Sequence, residues 1–509
     1  MNNGKICVSV CAETVEKLIQ QIRRAEEFAD VIEVRFDCLE KDDVRNFIVN
    51  LPAIEKTYLF TYRPSDQGGK REINLDQRLK FWELIFSTVK SDFMIDVECE
   101  PNLILAVDPQ KTQRIVSFHD FDGTPDNLGL IWSGMSELSN GMVKIAVKAM
   151  DITDSIAIWK LIDQAKSEKK QIIPIAMGEA GKWTRILGLA YGAFMTYASL
   201  DAGKETADGQ IKAKDLIETY RVKELDENTQ VYGVIGDPIS QSLSPFMHNP
   251  AFAAAGINAV FLPLSVKNLD EFMRRMVMPK TREVELNFAG FSVTMPHKQT
   301  IMRYLDAIDP TAEKIGAVNT VKVEDGKLFG YNTDAHGFIL PLKAKFGDVR
   351  GSRVAVFGAG GAARACVHAL KEEKADVTVF ARDAKKGEAF AGEFGVGFKE
   401  ISNFKFQISH SNWADFDIVV DATPTGMKGA LEQESLFSAE QLARVKFVYD
   451  LVTKAVDTPI IREAKKAGIP AIGGLEMLIA QGAKQFEIWT GREAPVDMMR
   501  NSLLLRMEA

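Results

Sequence analysis

The sequence predicts an α/β protein in which a (β/α)8 barrel is followed by two further domains, one α/β and one of Rossmann type. Eight short apolar runs alternate with helix-period stretches in the first part of the chain, and an almost entirely polar segment, 218–230, follows them. A glycine-rich turn then joins an apolar strand to a helix within 351–370. We therefore expect the domains to span 1–222, 230–334 (completed by helices in 475–509), and 335–474.

The composition limits the classes of function. The chain has 509 residues, enough for about three domains, and a net charge of -8 from 62 basic and 70 acidic side chains. This balance disfavours nucleic acid or an anionic membrane as a partner. No apolar run reaches the roughly 18 residues of a membrane-spanning helix. The five cysteines include no C-x-x-C pair, so we expect reduced core cysteines, no metal site and a cytoplasmic chain, or a plastid one if a transit peptide has been removed.

The first element of the prediction is the set of eight strands. Each run has 6–8 residues and is bounded by polar or turn residues. A doubly wound open sheet is the alternative, but this part of the chain has no glycine-rich phosphate loop. The runs are ICVSVC (6–11), VIEVRFD (31–37), YLFTYR (58–63), FMIDVEC (93–99), RIVSFHDF (114–121), MVKIAVK (142–148), QIIPIAM (171–177) and FMTYASL (194–200).

Charged residues interrupt these apolar runs. Glu33 and Arg35 alternate in the second run, Arg63 ends the third, and Glu98 lies near the end of the fourth. A charge inside a barrel is costly unless it is paired, and active sites of this fold lie at the carboxyl ends of the strands. These residues are therefore either substrate-binding groups or structural ion pairs, Glu33 with Arg35 and Glu98 with Arg63.

Lys144 lies in the middle of the sixth run, where its ammonium has no easy route to water. A desolvated lysine has a lowered pKa and can attack a carbonyl to form an imine, which acidifies the neighbouring C–H. His119 is the only histidine before residue 248 and is the candidate proton carrier. Lys148, nearer the strand end, is a competing imine candidate. The pattern indicates a Schiff-base lyase or aldolase.

Several segments then resemble type I 3-dehydroquinate dehydratase over about 1–222: EVRFD (33–37), TYRPSDQGG (61–69), IVSFHDF (115–121), VKIAV (143–147) and DGQI (208–211). The resemblance implies that Lys144 forms the imine with the substrate ketone, while His119 transfers the C2 proton and assists loss of water. It also implies a substrate-binding set of Ser9, Glu33, Arg35, Arg63, Arg185, Thr206 and Gln210. Two residues depart from the family, Gln67 where a Glu is usual and Thr206 where a Ser helps to close the lid.

The next part of the chain places hydroxyl, amide and charged groups on separate loops. Ser242 and Ser244 lie at a helix start marked by Pro245, where they are either ligand groups or plain N-caps. GFSVTMPHK (290–298), GAVNT (316–320) and GYNTD (330–334) follow. These motifs supply Ser292, Thr294, Lys298, Asn319 and Asp334. Such groups fit a polyhydroxylated substrate and a proton donor, although Lys and Asp are also common on plain surfaces.

The nucleotide signal lies in GSRVAVFGAGGAARACVHAL (351–370), a strand, a glycine-rich turn and a helix. Gly358, Gly360 and Ala363 have the G-x-G-x-x-G/A spacing that lets a backbone approach a pyrophosphate. After the next strand, Arg382 with Lys385 and Lys386 favours the 2′-phosphate of NADP. Asp383 could instead reach a ribose hydroxyl, as in NAD sites.

The motifs SQSLSP, SVTMPHK, GAVNT, YNTD, GAGGAAR and GGLEMLIAQGAKQFEIWTG together resemble shikimate dehydrogenase over about 230–509. The resemblance implies Lys298 and Asp334 as the catalytic pair, with Ser242, Ser244, Ser292, Thr294, Asn319 and Gln481 binding the shikimate skeleton. It implies NADP at Gly358, Ala359, Gly360, Gly361, Ala362, Arg382, Lys385 and Gly474. Thr453 stands where the family often has Tyr, and Ala381-Arg382-Asp383 where it has Asn-Arg-Thr.

The two resemblances concern consecutive reactions, dehydration of 3-dehydroquinate and NADPH-dependent reduction of 3-dehydroshikimate to shikimate. Together they imply a bifunctional enzyme of the plant type that acts on these small molecules. One alternative is that the second half is a quinate dehydrogenase using NAD. The other is a non-catalytic, pathway-sensing protein that retains both folds.

Overall fold

The structure, a computed structural model, describes residues 2–106, 112–139, 141–401, 415–454 and 457–508. The chain divides into two compact units. The first comprises 1–231, 238–240 and 258–288, and the second comprises 232–237, 241–257 and 289–509.

The first unit contains a curled sheet of parallel strands in the order β7-β6-β5-β4-β3-β2-β1-β8-β9. The Phe194 N–H donates to Ile172 O at 2.9 Å and so joins the start of β8 to β7. The eight-stranded part of the prediction is confirmed, and β9 is a short addition. The strands are β1 (Lys5–Val10), β2 (Val31–Arg35), β3 (Thr57–Thr61), β4 (Phe93–Glu98), β5 (Gln113–Asp120), β6 (Met142–Lys148), β7 (Gln171–Met177), β8 (Met195–Ser199) and β9 (Ile211–Lys212).

Helices connect these strands, as parallel pairing requires. They are α1 (Val15–Ala25), α2 (Lys41–Val49), α3 (Leu75–Thr88), α4 (Pro101–Ala106), α5 (Leu128–Leu138), α6 (Ile156–Glu168) and α7 (Thr184–Tyr191), with single turns of 3-10 helix at Ser65–Gln67 and Ile152–Ser155 and a π-turn at Asp215–Thr219. The unit also contains β11 (Ala259–Ser265), α9 (Leu269–Phe272) and a π-turn at Met273–Val277.

The interior of the curled sheet is layered. One apolar cluster takes a side chain from each of the eight long strands, namely Cys7, Val31, Leu59, Met94, Ile115, Met142, Ile173 and Met195. Because side chains alternate between the two faces of a strand, the residue two positions further on lies on the same inner face. That next layer is largely polar and consists of Ser9, Glu33, Thr61, Asp96, Ser117, Lys144, Ile175 and Tyr197. The polar layer therefore lies next to the apolar cluster, towards the carboxyl ends of the strands.

The almost entirely polar segment 218–230 is nevertheless packed, because it buries Tyr220, Val222 and Leu225. The Asn2 side-chain amide donates to both Val222 O and Leu225 O at 2.8 Å, which fixes the segment to the start of the chain.

The cysteines are not all reduced. Cys11 and Cys38 form a disulfide with a Cα–Cα distance of 5.4 Å, while Cys7, Cys99 and Cys366 are free. The physical reason is that β1 and β2 are parallel neighbours, with Val10 opposite Val34, so the residues that follow them emerge side by side. The sequence has no C-x-x-C motif from which this disulfide could have been predicted.

The second unit holds two sheets. In the first sheet β10, β12, β14, β15 and β13 lie in that order, and the second has the order β18-β17-β16-β19-β20-β21. The strands are β10 (Gln230–Gly236, mostly in this unit), β12 (Phe288–Val293), β13 (Ala307–Ile308), β14 (Thr320–Glu324), β15 (Lys327–Tyr331), β16 (Arg353–Phe357), β17 (Asp376–Ala381), β18 (Gly397–Glu400), β19 (Ile418–Asp421), β20 (Phe447–Asp450) and β21 (Ala471–Ile472).

The second of these sheets is parallel and covered on both faces. Val354 and Val356 of β16 pack in one apolar cluster, and Ala355 and Phe357 pack in another on the opposite face. This is the doubly wound arrangement that the sequence predicts. The helices are α8 (Ser244–Ala254), α10 (Pro310–Ile315), α11 (Asp334–Phe346), α12 (Gly361–Glu372), α13 (Ala384–Phe394), α14 (Ala439–Leu442), α15 (Pro459–Lys466), α16 (Gly474–Thr490) and α17 (Val496–Glu508), with a 3-10 segment at Thr300–Tyr304.

The carboxyl-terminal helices lie against the first sheet of this unit. The Trp489 indole N–H of α16 donates to Val321 O of β14 at 2.9 Å. Within the described parts of the chain, no helix combines the length and apolarity needed to traverse a membrane.

Candidate active sites

Asp96 is the centre of the polar layer in the curled sheet. Its carboxylate is buried and accepts Arg63 Nη2 at 2.8 Å and Lys144 Nζ at 3.0 Å. Burial alone would raise the pKa of Asp96, but the two cations outweigh it and hold the pKa well below its usual range. The sequence analysis did not single out Asp96. Asp96 could have been predicted from its position in FMIDVE, two residues after Met94 and two before Glu98. This spacing places all three side chains on the inner face of the strand.

Lys144 is enclosed on several sides. Its side chain is 7% exposed, and Nζ lies 4.1 Å from the centre of the Tyr197 ring. In the register of β5 and β6, Lys144 is opposite Ser117 and Ala146 is opposite His119. Lys144 and His119 therefore lie on adjacent strands, with the imidazole one inward-facing position nearer the open end.

The His119 ring stacks on Phe121 with the centroids 5.9 Å apart. Its buried Nδ1 has no hydrogen-bond partner among the described residues. Burial, followed by the positive charges of Arg63 and Lys144, lowers the pKa of His119 well below its usual value. The imidazole is consequently neutral at neutral pH, and a neutral imidazole can accept a proton.

Glu33 and Arg35 do not pair with each other. Glu33 accepts Ser9 Oγ at 2.5 Å and Thr61 Oγ1 at 2.9 Å, whereas Arg35 makes a bidentate contact with Asp37, 2.8 Å for each bond. The proposed Glu33–Arg35 ion pair is therefore wrong, because the inward-facing positions of β1 and β3 offer hydroxyls to Glu33.

The other proposed pair is present as part of a larger cluster. Arg63 Nη1 lies 3.1 Å from Glu98 Oε1, and Glu98 is also 3.0 Å from Arg78 Nη1. Arg63 thus bridges two buried carboxylates, Asp96 and Glu98. Its fixed position is a consequence of charge balance in a region from which water is excluded.

Arg185, on α7, has unused donors. Its Nη2 donates to Asp208 O at 3.1 Å, but its buried Nε and Nη1 have no partner. Burial lowers the pKa of Arg185 to about 10, because the nearby negative charge of Asp208 compensates only in part. Among the described residues these two buried N–H donors are therefore unpaired, and they are available to an anionic ligand such as a carboxylate.

Most of the predicted residues of this half surround one cavity of about 50 Å³. Ser9 does not line it and lies behind Glu33. Thr206 and Gln210 do line it, and the Thr206 N–H donates to Gln210 Oε1 at 2.8 Å. The lining comprises Glu33, Arg35, Arg63, Gln67, Gly68, His119, Phe121, Lys144, Ala146, Ile175, Met177, Arg185, Tyr197, Thr206, Ala207 and Gln210.

The second unit brings Lys298 and Asp334 together. Lys298 Nζ lies 2.5 Å from Asp334 Oδ2, and Asn319 Nδ2 donates to the other carboxylate oxygen at 2.8 Å. Asp334 is the first residue of α11, and its own N–H donates to Asn332 Oδ1 at 3.0 Å. The carboxylate is thereby fixed, while the Lys298 side chain stays 19% exposed and open to a ligand.

Gln485 of α16 was missed by the sequence analysis. Its buried amide donates to Ser292 Oγ at 3.1 Å and Thr320 Oγ1 at 3.0 Å, and its oxygen lies 3.3 Å from His248 Nε2. His248 is one helical turn after Ser244 on α8, so Gln485 links the serine-bearing helix to the strand that carries Ser292. The spacing of four residues from Gln481 was the available signal.

The remaining predicted residues of this half have separate partners. Ser242 Oγ accepts the Ser244 N–H at 3.3 Å, so Ser242 stabilises the helix start, and Ser244 makes no side-chain cap. Gln481 Oε1 accepts Thr333 Oγ1 at 3.5 Å, next to Asp334. Thr294 is half-buried at the end of β12, and its N–H donates to Ile235 O at 3.0 Å.

The glycine-rich turn approaches the Lys298 side chain. Gly358 has φ +114, and a Cβ there would lie 2.9 Å from Ala422 O, so both conformation and space require glycine. A Cβ at Gly361 would lie 3.3 Å from Lys298 Cδ. The turn formed by Gly358, Ala359, Gly360, Gly361 and Ala362 therefore opens α12 beside the Lys298–Asp334 pair.

The strand after this turn carries exposed cations. Arg382 and Lys385 are exposed, whereas Asp383 caps α13 by accepting the Lys386 N–H at 3.0 Å. Gly474 is the first residue of α16, and its N–H donates to Val452 O at 3.2 Å. Thr453, at the position of the family's tyrosine, is half-buried next to that contact, and Ala455 and Val456 of the same motif lie outside the described residues.

Comparisons with known proteins give consistent findings for both halves. Residues 6–227 match the family type I 3-dehydroquinase, 234–321 the shikimate dehydrogenase substrate binding domain, 342–452 the shikimate / quinate 5-dehydrogenase family, and 474–504 the shikimate 5'-dehydrogenase C-terminal domain. The chain is 32% identical to the chloroplastic bifunctional 3-dehydroquinate dehydratase/shikimate dehydrogenase of Arabidopsis thaliana, over 98% of this chain and 84% of the relative.

Two further similarities concern the second half. A shikimate dehydrogenase (NADP(+)) of Methanocaldococcus jannaschii is 39% identical over 55% of this chain and 98% of its own length. A crystal structure of a shikimate dehydrogenase in complex with NADP+ superposes with a TM-score of 0.50 at 37% identity, covering 56% of this chain and 97% of that chain.

The Asp96 cluster gives a stability prediction. Asp96→Asn leaves the buried charges of Arg63 and Lys144 without their shared anion, so the free energy of unfolding of the barrel should fall by about 3–5 kcal/mol. Urea unfolding followed by tryptophan fluorescence measures it. Asp76→Asn, which removes an exposed i,i+4 partner of Lys80, should cost at most about 1 kcal/mol. Equal effects of the two substitutions would contradict the role of Asp96.

Proposed function

The chain belongs to the family of bifunctional 3-dehydroquinate dehydratase/shikimate dehydrogenases, and on that premise we propose which of its residues perform each reaction. The protein is a lyase and an NADP-dependent oxidoreductase of the shikimate pathway. It dehydrates 3-dehydroquinate to 3-dehydroshikimate and then reduces 3-dehydroshikimate to shikimate.

We assign the dehydratase to 1–222, the shikimate-binding domain to 230–334 with the helices of 475–509, and the NADP-binding domain to 335–474. The substrates are small anionic molecules, and we propose no nucleic acid or membrane partner. The Arabidopsis relative is chloroplastic by name. For this chain we propose the cytoplasm, or the plastid if a transit peptide has been removed, and cell fractionation tests the assignment.

The burial of Lys144 beside Asp96 is the observation that carries the dehydratase assignment. The Lys144 ammonium gives a proton to the neutral His119 imidazole, and the amine attacks the C3 ketone of 3-dehydroquinate. His119 then returns the proton to the hydroxyl group that leaves as water, which forms a cationic imine. Asp96 lies 3.0 Å from Nζ and is held ionised by Arg63, so it balances the positive charge of the imine. The imine accepts the electron pair when the neighbouring C–H is broken.

His119 moves the proton. Its neutral imidazole removes the C2 proton, and the resulting imidazolium donates a proton to the departing C1 hydroxyl. The low pKa of His119 supports both roles, because it keeps the base free and makes its conjugate acid a strong donor. Hydrolysis of the imine then releases 3-dehydroshikimate and restores Lys144.

Arg185 is the proposed carboxylate ligand. Its buried Nε and Nη1 have no partner among the described residues, and its lowered pKa, caused by burial, indicates a cation that lacks a full counter-charge without a ligand. Glu33, Arg35, Arg63, Thr206 and Gln210 line the rest of the cavity and are assigned to the hydroxyl groups, with Ser9 orienting Glu33.

In the dehydrogenase, Lys298 donates a proton to the carbonyl oxygen of 3-dehydroshikimate. Asp334 holds Nζ at 2.5 Å and is itself fixed by Asn319, so the ammonium is directed by a rigid partner. Ser242, Ser244, Ser292, Thr294, Asn319 and Gln481 are assigned to the shikimate skeleton. Neutral hydroxyl and amide groups suit its several hydroxyls.

The glycine-rich turn fits NADP. The open space beside Gly360, where a Cβ would meet nothing within 4 Å, and the uncapped start of α12 suit a pyrophosphate. Arg382 and Lys385 are exposed where a 2′-phosphate would lie, and Asp383 is occupied as a helix cap. NADPH, when bound, supplies the hydride for the reduction.

The imine assignment predicts covalent trapping. Borohydride added with 3-dehydroquinate should reduce the imine to a stable adduct on the peptide that contains Lys144, detected by mass spectrometry. Lys144→Ala should give no adduct, and Lys148→Ala should still give it. An adduct on Lys148 would contradict the assignment.

The proton-donor assignment predicts a split between turnover and affinity. Lys298→Ala should lower kcat for 3-dehydroshikimate by about 10²–10⁴-fold, with a much smaller change in KM. Lys322→Ala, which removes a lysine paired with Glu324, is the control and should change neither constant. A loss confined to KM would make Lys298 a binding residue only.

The cofactor assignment predicts a change of preference. Arg382→Ala should lower kcat/KM for NADP by about 10–100-fold and leave that for NAD nearly unchanged, since only NADP carries the 2′-phosphate. Arg350→Ala removes an exposed arginine in the same domain and serves as control.

The wild type should prefer shikimate with NADP; a preference for quinate with NAD would support the alternative substrate.

A further inference from the structure

Lys148 is the last residue of β6 and carries a charge that the proposed reactions do not use. Its ammonium forms an ion pair with Asp208, and the Lys148 and Asp208 side chains are 28% and 58% exposed. The backbone of Lys148 is fixed by two bonds, from its N–H to Gly123 O at 3.2 Å and from Thr124 Oγ1 to its carbonyl at 2.9 Å. The cation therefore projects from a rigid position on the barrel rim.

Asp208 belongs to the segment between β8 and β9, residues 200–210, which we call the lid. The lid carries Thr206, Ala207 and Gln210, which line the dehydratase cavity. Thr206 and Gln210 bond to each other, so their contacts do not tie the lid to the barrel.

The tip of the lid, residues 202–209, reaches the barrel through one residue. Among the described residues, every hydrogen bond or ion pair between this tip and the rest of the barrel involves Asp208. Its carboxylate pairs with Lys148, and its carbonyl accepts Arg185 Nη2 at 3.1 Å and the Gly178 N–H at 3.4 Å.

The bond to Arg185 gives this attachment a consequence for the substrate. Arg185 donates to Asp208 O through Nη2, while its buried Nε and Nη1 have no partner among the described residues. When the Asp208 carboxylate is held by Lys148, its carbonyl is held against Arg185. The same residue therefore fixes the lid and orients the proposed carboxylate ligand.

We propose that the Lys148–Asp208 ion pair is a latch that holds the lid over the dehydratase cavity and positions Arg185 for the substrate carboxylate, an inference that rests on the proposed function of that cavity. Lys148 and Asp208 are positioning residues, not groups that touch the reacting atoms. Their effect should appear in the affinity for 3-dehydroquinate, because an open lid loses Thr206, Gln210 and the oriented Arg185 together.

The test uses the full chain and 3-dehydroquinate. Asp208→Asn and Lys148→Met should each raise KM by about 5-fold, with a smaller change in kcat, as expected for a partly exposed ion pair. The double variant should show no further rise, because either change already opens the latch. Lys148→Arg keeps the charge and should restore most of the affinity.

Ionic strength provides a second measurement that a purely structural role would not affect. Salt screens exposed charges, so KM of the wild type should rise more steeply with added NaCl than KM of Asp208→Asn. Glu179→Gln removes the partner of Lys182 in a similarly exposed pair on the same rim and should behave as wild type in both measurements.

The outcomes separate this proposal from the assignment of the site. Borohydride trapping on Lys144 should persist in Asp208→Asn, and its absence in the wild type would overturn the site assignment itself. If trapping occurs but KM is unchanged in the single variants, or rises additively in the double variant, the latch is wrong. A lowered melting temperature together with a fall in kcat as large as the rise in KM would also contradict the latch.

Discussion

The carboxylate of Asp96 lies between two buried cations, and the arrangement of the barrel's interior depends on that contact. Arg63 and Lys144 come from strands separated in the chain by some eighty residues, and neither charge reaches bulk water. A buried cation is tolerated only where an anion meets it in good geometry. Parallel strands bring Asp96 and Lys144 to one level of the sheet, and Arg63, two residues beyond Thr61 at the end of β3, reaches the same carboxylate. The fold itself therefore places the anion between the two cations.

The second unit fixes its reactive lysine by a different route. Lys298 is half-buried and keeps contact with solvent, so its partner need not compensate a fully desolvated charge. Asp334 is instead immobilised by neutral groups, the Asn319 amide and its own helix start. The glycine at position 361 then leaves room for the lysine chain beside the nucleotide turn. The position of the Asp334 carboxylate is therefore set by hydrogen bonds rather than by the balance of buried charges.

These differences explain which parts of the fold and of the two sites could be predicted from the sequence. The period of the apolar runs predicts the strands because burial depends on it directly, and the glycine spacing predicts the turn because only glycine fits. The roles of Asp96 and Gln485 and the Cys11–Cys38 disulfide could not be predicted from the sequence. Each depends on which strands and helices are neighbours in the fold, and residue spacing along the chain does not show this. Arg35 shows the converse, since its position was clear but its partner, Asp37, was not.

The two sites also distribute charge in a way that follows from their chemistry. In the proposed mechanism the cationic imine keeps the positive charge that the Lys144 ammonium carries, and Asp96, held ionised by Arg63, balances it without moving. The proposed reduction needs Lys298 as a single proton donor to the developing alkoxide rather than an anionic pocket. Among the described residues, the buried arginines lie mostly in the barrel, and three of them, Arg35, Arg63 and Arg185, line the proposed dehydratase cavity. A net charge of -8 does not oppose anionic substrates, because a few desolvated donors, such as those of the proposed carboxylate ligand Arg185, are sufficient to bind them.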